Sequence, residues 1–492
     1  MFLALSCPVY AQNSAESEST QALKQLGEKV KFYTLSNGLR VVLYKRGMAP
    51  VFAGTIAVKV GGVNEVLGHT GLSHMLEHMA FKGTKTIGTK DYDKEKGLLE
   101  KLEKLEGKIS EGSELSEKEK AEYKSVMQSL KELWVLGDLN NLYDVRGANS
   151  LNATTDKELT KYFVSLPRNA FEFWCWIESE RIVNPVMRQF YQERDVVMEE
   201  RRMRFDDDPE GKLYENLLSV TYLNHPYRNP VIGYEFDIHR LTATMAQDLH
   251  KKYYVASNMV ISLVGDIDPD KDIHTIEKYF SRIPRGTLSN AKILTEPVQN
   301  GERRVSLKNN SAKHLYVAYH KPNYPNPDDP PISIMAEILA GSRISPLYRK
   351  LVQKKKIATA IEHDETPGYG YPNLLLFAAQ PNSPHGNMDV LKGFDNIIDN
   401  FIKSGATQEE LDIAKRSVAM EYLAHLKSNL SLAKDFASSA LIYNNHLASI
   451  DWYSRAMKVS LSDVKSAAAK YLKRTNRTIA TIDSPNQDEE SR

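Results

Sequence analysis

Apolar residues recur at regular spacing along most of this chain, and the spacing predicts its elements. Phe32-Tyr33-Thr34-Leu35 and residues 39–44 read as two strands joined by the tight turn Ser36-Asn37-Gly38. Residues 51–60 read as a third strand, ending at Gly61-Gly62. Leu72, Met75, Leu76 and Met79 then fall at helical spacing, opened by Gly68-His69-Thr70-Gly71 and stopped by Lys82-Gly83-Thr84. Residues 91–138 are densely charged, yet Leu98, Leu102, Leu105 and Ile109 form one stripe. Tyr123, Met127, Leu130 and Trp134 form a second behind a Ser116/Glu119 capping box. The two stripes predict an antiparallel helical hairpin broken at Gly112-Ser113, read as a solvated structural arm in preference to a lid. Residues 147–155 read as extended, 157–166 as a strand stopped by Pro167, and 171–183 and 186–205 as helices.

The pattern then repeats. Leu241-Thr242, Lys252-Tyr253, Asn258 and Ile261 return as Val459-Ser460, Lys470-Tyr471, Asn476 and Ile479 at one constant offset. Each set reads as a capped helix leading into a strand, which predicts a duplicated αβ unit. The expected organisation is a leader and polar linker at 1–30, a first domain at 31–285 carrying the 91–138 insertion, a linker at 286–302, and a second domain at 303–486.

Composition narrows the function classes. Lys plus Arg total 64 against 63 Asp plus Glu, so no basic footprint for nucleic acid exists. Mean hydropathy is −0.44, and no later segment offers the roughly 18 uninterrupted apolar residues of a membrane span. Cys7 and Cys175 are the two cysteines, and neither suggests a disulfide or a thiolate metal site. Residues 1–12 are apolar and end in Val9-Tyr10-Ala11-Gln12, a pattern of signal-peptidase cleavage after Ala11 with 13–20 as linker. Export to the periplasm is the expectation; a frayed end on a cytoplasmic protein is the alternative.

The chemistry concentrates in His74-Met75-Leu76-Glu77-His78. On a helix, residues four apart share a face, so both imidazoles can aim at one point with Glu77 beside them. Two neutral imidazoles and a carboxylate make most of a catalytic zinc site, with the glutamate as general base. His69 precedes the helix and does not share its face. Farther on, Glu193, Val197 and Glu200 fall on one face of the 186–205 helix, which suggests a pocket-facing role for the two carboxylates. The second half carries nothing like His-x-x-Glu-His.

With these residues in hand, the chain resembles the M16 (pitrilysin-type) zinc metallopeptidases, near the bacterial relatives of the mitochondrial processing peptidase β-subunit. The resemblance spans about Lys31 to Asp483. It rests on Ser36-Asn37-Gly38-Leu39, the run from Thr70 through His74-Met75-Leu76-Glu77-His78 to Thr84, Leu151-Asn152-Ala153-Thr154-Thr155, Glu193-Arg194-Asp195-Val196-Val197-Met198-Glu199-Glu200, His225-Pro226-Tyr227 and Val264-Gly265-Asp266. It implies an α+β fold of two related domains, each a mostly antiparallel sheet with helices packed on it. It implies one zinc per chain held by His74, His78 and Glu200, with Glu77 as general base and Glu193 orienting the site. Glu199 competes with Glu200 for the ligand role, but Glu200 keeps the family's spacing from Glu193. Asn152, Ala153 and Thr154 match an edge strand that pairs with substrate backbone, Ala153 leaving room for varied side chains.

Two departures stand out. His78 and Glu200 lie farther apart than is usual in the family, and the surplus corresponds to the 91–138 hairpin. The family also completes its site with an Arg and a Tyr from the second half, where this chain has Val352 and Thr359. Neither can steady an oxyanion as Arg and Tyr would; Arg343 and Arg349 are nearby but out of register. The resemblance therefore implies the zinc-bearing subunit of a heterodimeric peptidase whose homologous partner carries the Arg/Tyr pair. A homodimer using Arg349 is the alternative partner arrangement. A non-catalytic metal-binding scaffold or assembly subunit is the alternative function.

Overall fold

A computed structural model describes residues 23–47, 49–287 and 292–484. The expected leader, its cleavage site and Cys7 lie outside the described residues. β1 (Lys31–Thr34), β2 (Arg40–Lys45), β3 (Val51–Val58), β4 (Asn149–Thr155), β5 (Thr160–Pro167) and β6 (Met259–Gly265) form one sheet in the order β1-β2-β6-β3-β5-β4. β7 (Arg303–Lys308), β8 (His314–Lys321), β9 (Ala358–Thr366), β10 (Asn373–Pro381) and β11 (Arg477–Asp483) form the second, in the order β7-β11-β8-β10-β9. Leaving out β1, the two orders are the same. β2 pairs β6 in parallel as β7 pairs β11, and the other pairings are antiparallel.

The repeat seen in the sequence has a hydrogen-bond basis. Asn258 Nδ2 donates to the Tyr253 carbonyl at 2.9 Å and to that of Lys59 at 3.1 Å, tying the preceding helix to the start of β6. Asn476 does the same before β11, to Tyr471 at 3.0 Å and His320 at 2.9 Å. Asn258→Ala leaves two carbonyls without their donor, and it is expected to cost about 1–3 kcal/mol in chemical denaturation. A loss within ±0.5 kcal/mol would show that water takes over both contacts.

Helices cover the sheets. α1 (Leu72–Met79) follows β3, and the hairpin α2 (Tyr92–Ser110) and α3 (Glu117–Leu133) comes next, as the two stripes predict. Its Ser116/Glu119 capping box is formed. The hairpin's inner face is not solvated, however: Leu102, Leu105, Val126 and Leu130 are buried, and so are the carboxylates Glu95 and Glu106. Ile109, near the tip, is exposed. α4 (Phe190–Arg201) begins later than the apolar pattern suggested and runs into a wide helical turn, Arg202–Asp206. Cys175 is buried in the first core, and burial pushes its thiol well up, as for a small apolar residue.

α5 (Pro209–Thr221), from the first half, lies on the second sheet, where Leu213, Leu217 and Leu218 pack with Ala318, Leu374 and Ile482. After α6 (Ala243–Tyr253), α7 (Asn429–Tyr443) returns the exchange. Its Leu432, Ala433, Phe436 and Ala437 cover Val42, Ala53, Val260 and Val264 of the first sheet. Each sheet therefore has one face closed by the other half's helix. Residues on either side of the expected 286–302 linker thus share two apolar clusters.

Candidate metal centre

α1 starts without a side-chain cap of its own. Gly71 adopts φ 87°, and a Cβ there would lie 2.4 Å from the Ile232 carbonyl oxygen. The orphan amides of the first turn are taken by a carboxylate from the preceding loop: Glu65 accepts from Gly71 N at 2.9 Å and Ser73 N at 2.6 Å. Burial pushes the Glu65 carboxyl up to about 7 against these hydrogen bonds. Leu72, Met75, Leu76 and Met79 face the core, which turns His74, Glu77 and His78 towards a recess.

α4 meets that face. Nε2 of His74 lies 3.8 Å, and Nε2 of His78 3.5 Å, from one Glu200 oxygen. The candidate ligand atoms of His74, His78 and Glu200 all lie within 4.8 Å of one another. Tetrahedral zinc with bonds of about 2.0–2.1 Å spaces its ligand atoms roughly 3.3 Å apart, so the two imidazoles and the carboxylate fit such an ion. The other nitrogen of His78, Nδ1, bonds Glu193 at 2.9 Å, which fixes the ring with Nε2 turned inward. Lys82 grips the second Glu193 oxygen at 2.5 Å, and Arg204 holds the second Glu200 oxygen at 2.8 Å. Glu199 faces solvent and pairs with Arg202, away from the cluster.

The two histidines differ in their hold on a proton. Burial, then the charge on His78, pushes His74 down to about 4. Burial also opposes charge on His78, but hydrogen bonds to Glu193 and Glu200 outweigh it and raise that ring to about 9. Glu77 accepts a hydrogen bond from the Thr155 hydroxyl. Burial raises its carboxyl above the ordinary range, partly offset by that bond.

β4 is the terminal strand of its sheet, pairing β5 through Asn152↔Phe163, Ala153↔Tyr162 and Thr154↔Lys161. Asn152 is exposed, but Ala153 is buried in the core, so its methyl does not make room for substrate side chains as expected. What this strand offers outward is its backbone edge. His74 and Thr155 line a recess of about 220 Å3 with Arg204, Tyr214 and Pro367. Arg204 and Tyr214 also line a cleft of about 870 Å3 against Tyr316, Glu362 and Thr366 of the second half.

The second half does not bring the expected donors. Val352 packs against the second core, and the Thr359 hydroxyl is engaged with Gln380. The described lining of the recess and cleft includes neither of them, nor Arg343 or Arg349. Sequence reasoning missed Arg204, although it stands four residues after Glu200, a spacing that marks a shared helix face, and it missed Lys82, which lies in the bend after α1. Thr155 acts across the fold, and Glu65 acts from a loop before the helix, outside any helical spacing.

Two family models match the chain: Insulinase (Peptidase family M16) over residues 40–128, and Peptidase M16 inactive domain over residues 240–418. The chain belongs to the M16 peptidase family. This M16 chain is 27% identical over 459 residues to zinc protease PqqE of Helicobacter pylori, covering 90% of each chain. It is 20% identical over 441 residues to the uncharacterized zinc protease YmxG of Bacillus subtilis, covering 89% of this chain and 95% of that one. A solved protease from Helicobacter pylori superposes with a TM-score of 0.77 at 25% identity, covering 92% of this chain and 99% of that one. The periplasmic protease PqqL from Escherichia coli shares the fold, with a TM-score of 0.70 at 17% identity, covering 94% of this M16 chain and 48% of its own. The two α/β domains with mixed sheets are thus a family fold. No helix among the described residues is long and apolar enough to cross a membrane.

Proposed function

We propose that this chain is a zinc-dependent endopeptidase that cleaves short or unfolded peptides and is the zinc-bearing subunit of a two-subunit enzyme. The observation that carries the reading is the convergence of two Nε2 atoms on one Glu200 oxygen, with Glu77 on the same helix face. His74, His78 and Glu200 would hold one zinc ion, and the naming of relatives as zinc proteases supports that metal. When bound, zinc supplies Lewis-acid activation of the attacking water and of the scissile carbonyl. Glu77, its carboxyl raised by burial, accepts the water's proton and delivers it to the leaving amine. Glu193 orients His78. The outer edge of Asn152, Ala153 and Thr154 accepts an extended peptide as an added strand, which tolerates varied sequence and excludes folded chains.

Val352 and Thr359 leave the oxyanion without an Arg/Tyr pair from this chain, and a homologous partner would supply it. The signal-like apolar residues 1–12 support an exported, periplasmic location. The same two residues favour a second reading, a metal-binding subunit without turnover. The deciding experiment is digestion of an unfolded polypeptide by the zinc-loaded chain, with and without its homologous partner and with a chelator control. Stoichiometric zinc with no cleavage in any mixture would sink the peptidase reading.

Zinc uptake should depend on pH. The metal-free His78 holds its proton up to about 9, and a ligand nitrogen must lose it. Zinc affinity is expected to rise about tenfold per pH unit from 7 towards 9 and then level off, with one proton released per ion. Flat affinity across that range, measured by chelator competition, would contradict the raised hold of His78 on its proton.

A further inference from the structure

The inserted hairpin meets α4 through a row of carboxylates on α2. Glu95 receives Nε and Nη2 of Arg188 at 2.5 and 2.7 Å, in a pair whose side chains are almost wholly buried. Glu103 receives the hydroxyl of Tyr191, and Glu106 receives Nη2 of Arg194 at 3.3 Å. Arg188, Tyr191 and Arg194 are spaced three apart along the start of α4 and its lead-in, whereas Glu193 reaches His78 from a different side of the helix.

Each rung also reaches the surroundings of α1. Arg188 donates to the carbonyls of Lys82, Thr84 and Ile87, in the segment that leaves α1. Glu103 accepts from Thr244 N at 2.9 Å, at the start of α6, and α6 packs on α1. Arg194 donates to the Leu241 carbonyl at 3.2 Å. On the hairpin side, Trp134 Nε1 bonds Glu95 at 2.9 Å and Tyr123 bonds Glu106 at 2.7 Å, so the row belongs to the hairpin as a unit.

Buried ion pairs contribute little net stability over apolar packing of the same shape; what they add is direction. We propose that the hairpin is a brace for the metal centre: its three rungs fix α4 against α1, so that Glu193 and Glu200 arrive opposite His78 and His74. Tyr191 and Glu103 are positioning residues in this scheme, and the proposal rests on the zinc reading of the cluster above.

Tyr191→Phe and Glu103→Gln test the brace, with Lys108→Gln, which breaks the tip pair to Glu119 and leaves the Ser116/Glu119 capping box, as the control. Zinc affinity is read by chelator competition, ligand geometry by the absorption spectrum of the cobalt-loaded protein, and the placement of α4 by amide exchange in the metal-free protein. Each rung variant is expected to bind zinc roughly tenfold more weakly, with an altered cobalt spectrum and faster exchange over residues 190–201. The tip variant should match wild type in all three. Rung variants with wild-type affinity, spectrum and exchange would overturn the brace, even if their thermal midpoint fell. Wild-type protein that takes up no zinc would sink the metal reading instead, and exchange in the metal-free protein would then decide the brace alone.

Discussion

Glu77→Gln in the zinc-loaded protein is expected to lower turnover of a susceptible peptide by about 10²–10⁴-fold, with zinc content unchanged. The amide keeps the shape of the carboxylate and can still accept the Thr155 hydroxyl, so β4 and α1 stay in register. It cannot take a proton. Because Glu77 touches neither Glu200 nor Glu193, its loss should spare the ligand set. The measurement is turnover of an unfolded peptide beside metal analysis of the same sample. Cleavage retained at the wild-type rate would remove Glu77 from the mechanism, and lost zinc would make the variant a structural lesion rather than a chemical one.

Adding a homologous subunit that carries the Arg/Tyr pair is expected to raise turnover by about 10²–10³-fold over the isolated chain. The estimate is that of restoring an oxyanion donor, since Val352 is packed into the second core and Thr359 is engaged with Gln380. A matching Arg→Ala change in the partner should abolish the gain without weakening association. Full activity of the isolated chain would defeat the two-subunit scheme. If that activity then depended on dimerisation and vanished in Arg349→Ala, a second copy would be the donor.

Much of this molecule was legible in its sequence because the signals are local. The helix bearing His74 and His78 and the hairpin with its Ser116 cap depend on spacings within one element, and the Asn258/Asn476 repeat shows as one constant offset between two segments. Glu200 was separable from Glu199 because helical phase places one beside the histidines and turns the other to solvent. What stayed hidden is made between elements. Glu65 capping α1 and Thr155 holding Glu77 join residues that no periodicity connects. Ala153 misled for a related reason: its strand is an edge in the plane of the sheet, yet one of its faces packs on α1. The hairpin read as a solvated arm because its charges were counted, while the partners that bury Glu95 and Glu106 lie outside it.

The reciprocal lodging of α5 and α7 also bears on how a substrate could arrive. Swinging the halves apart would strip Leu217 from one sheet and Phe436 from the other, exposing apolar surface at about 25 cal/mol per Å2. The space beside His74 is therefore bounded by two halves that hold each other in place. A peptide substrate, on the reading proposed above, would have to enter that space without the halves parting.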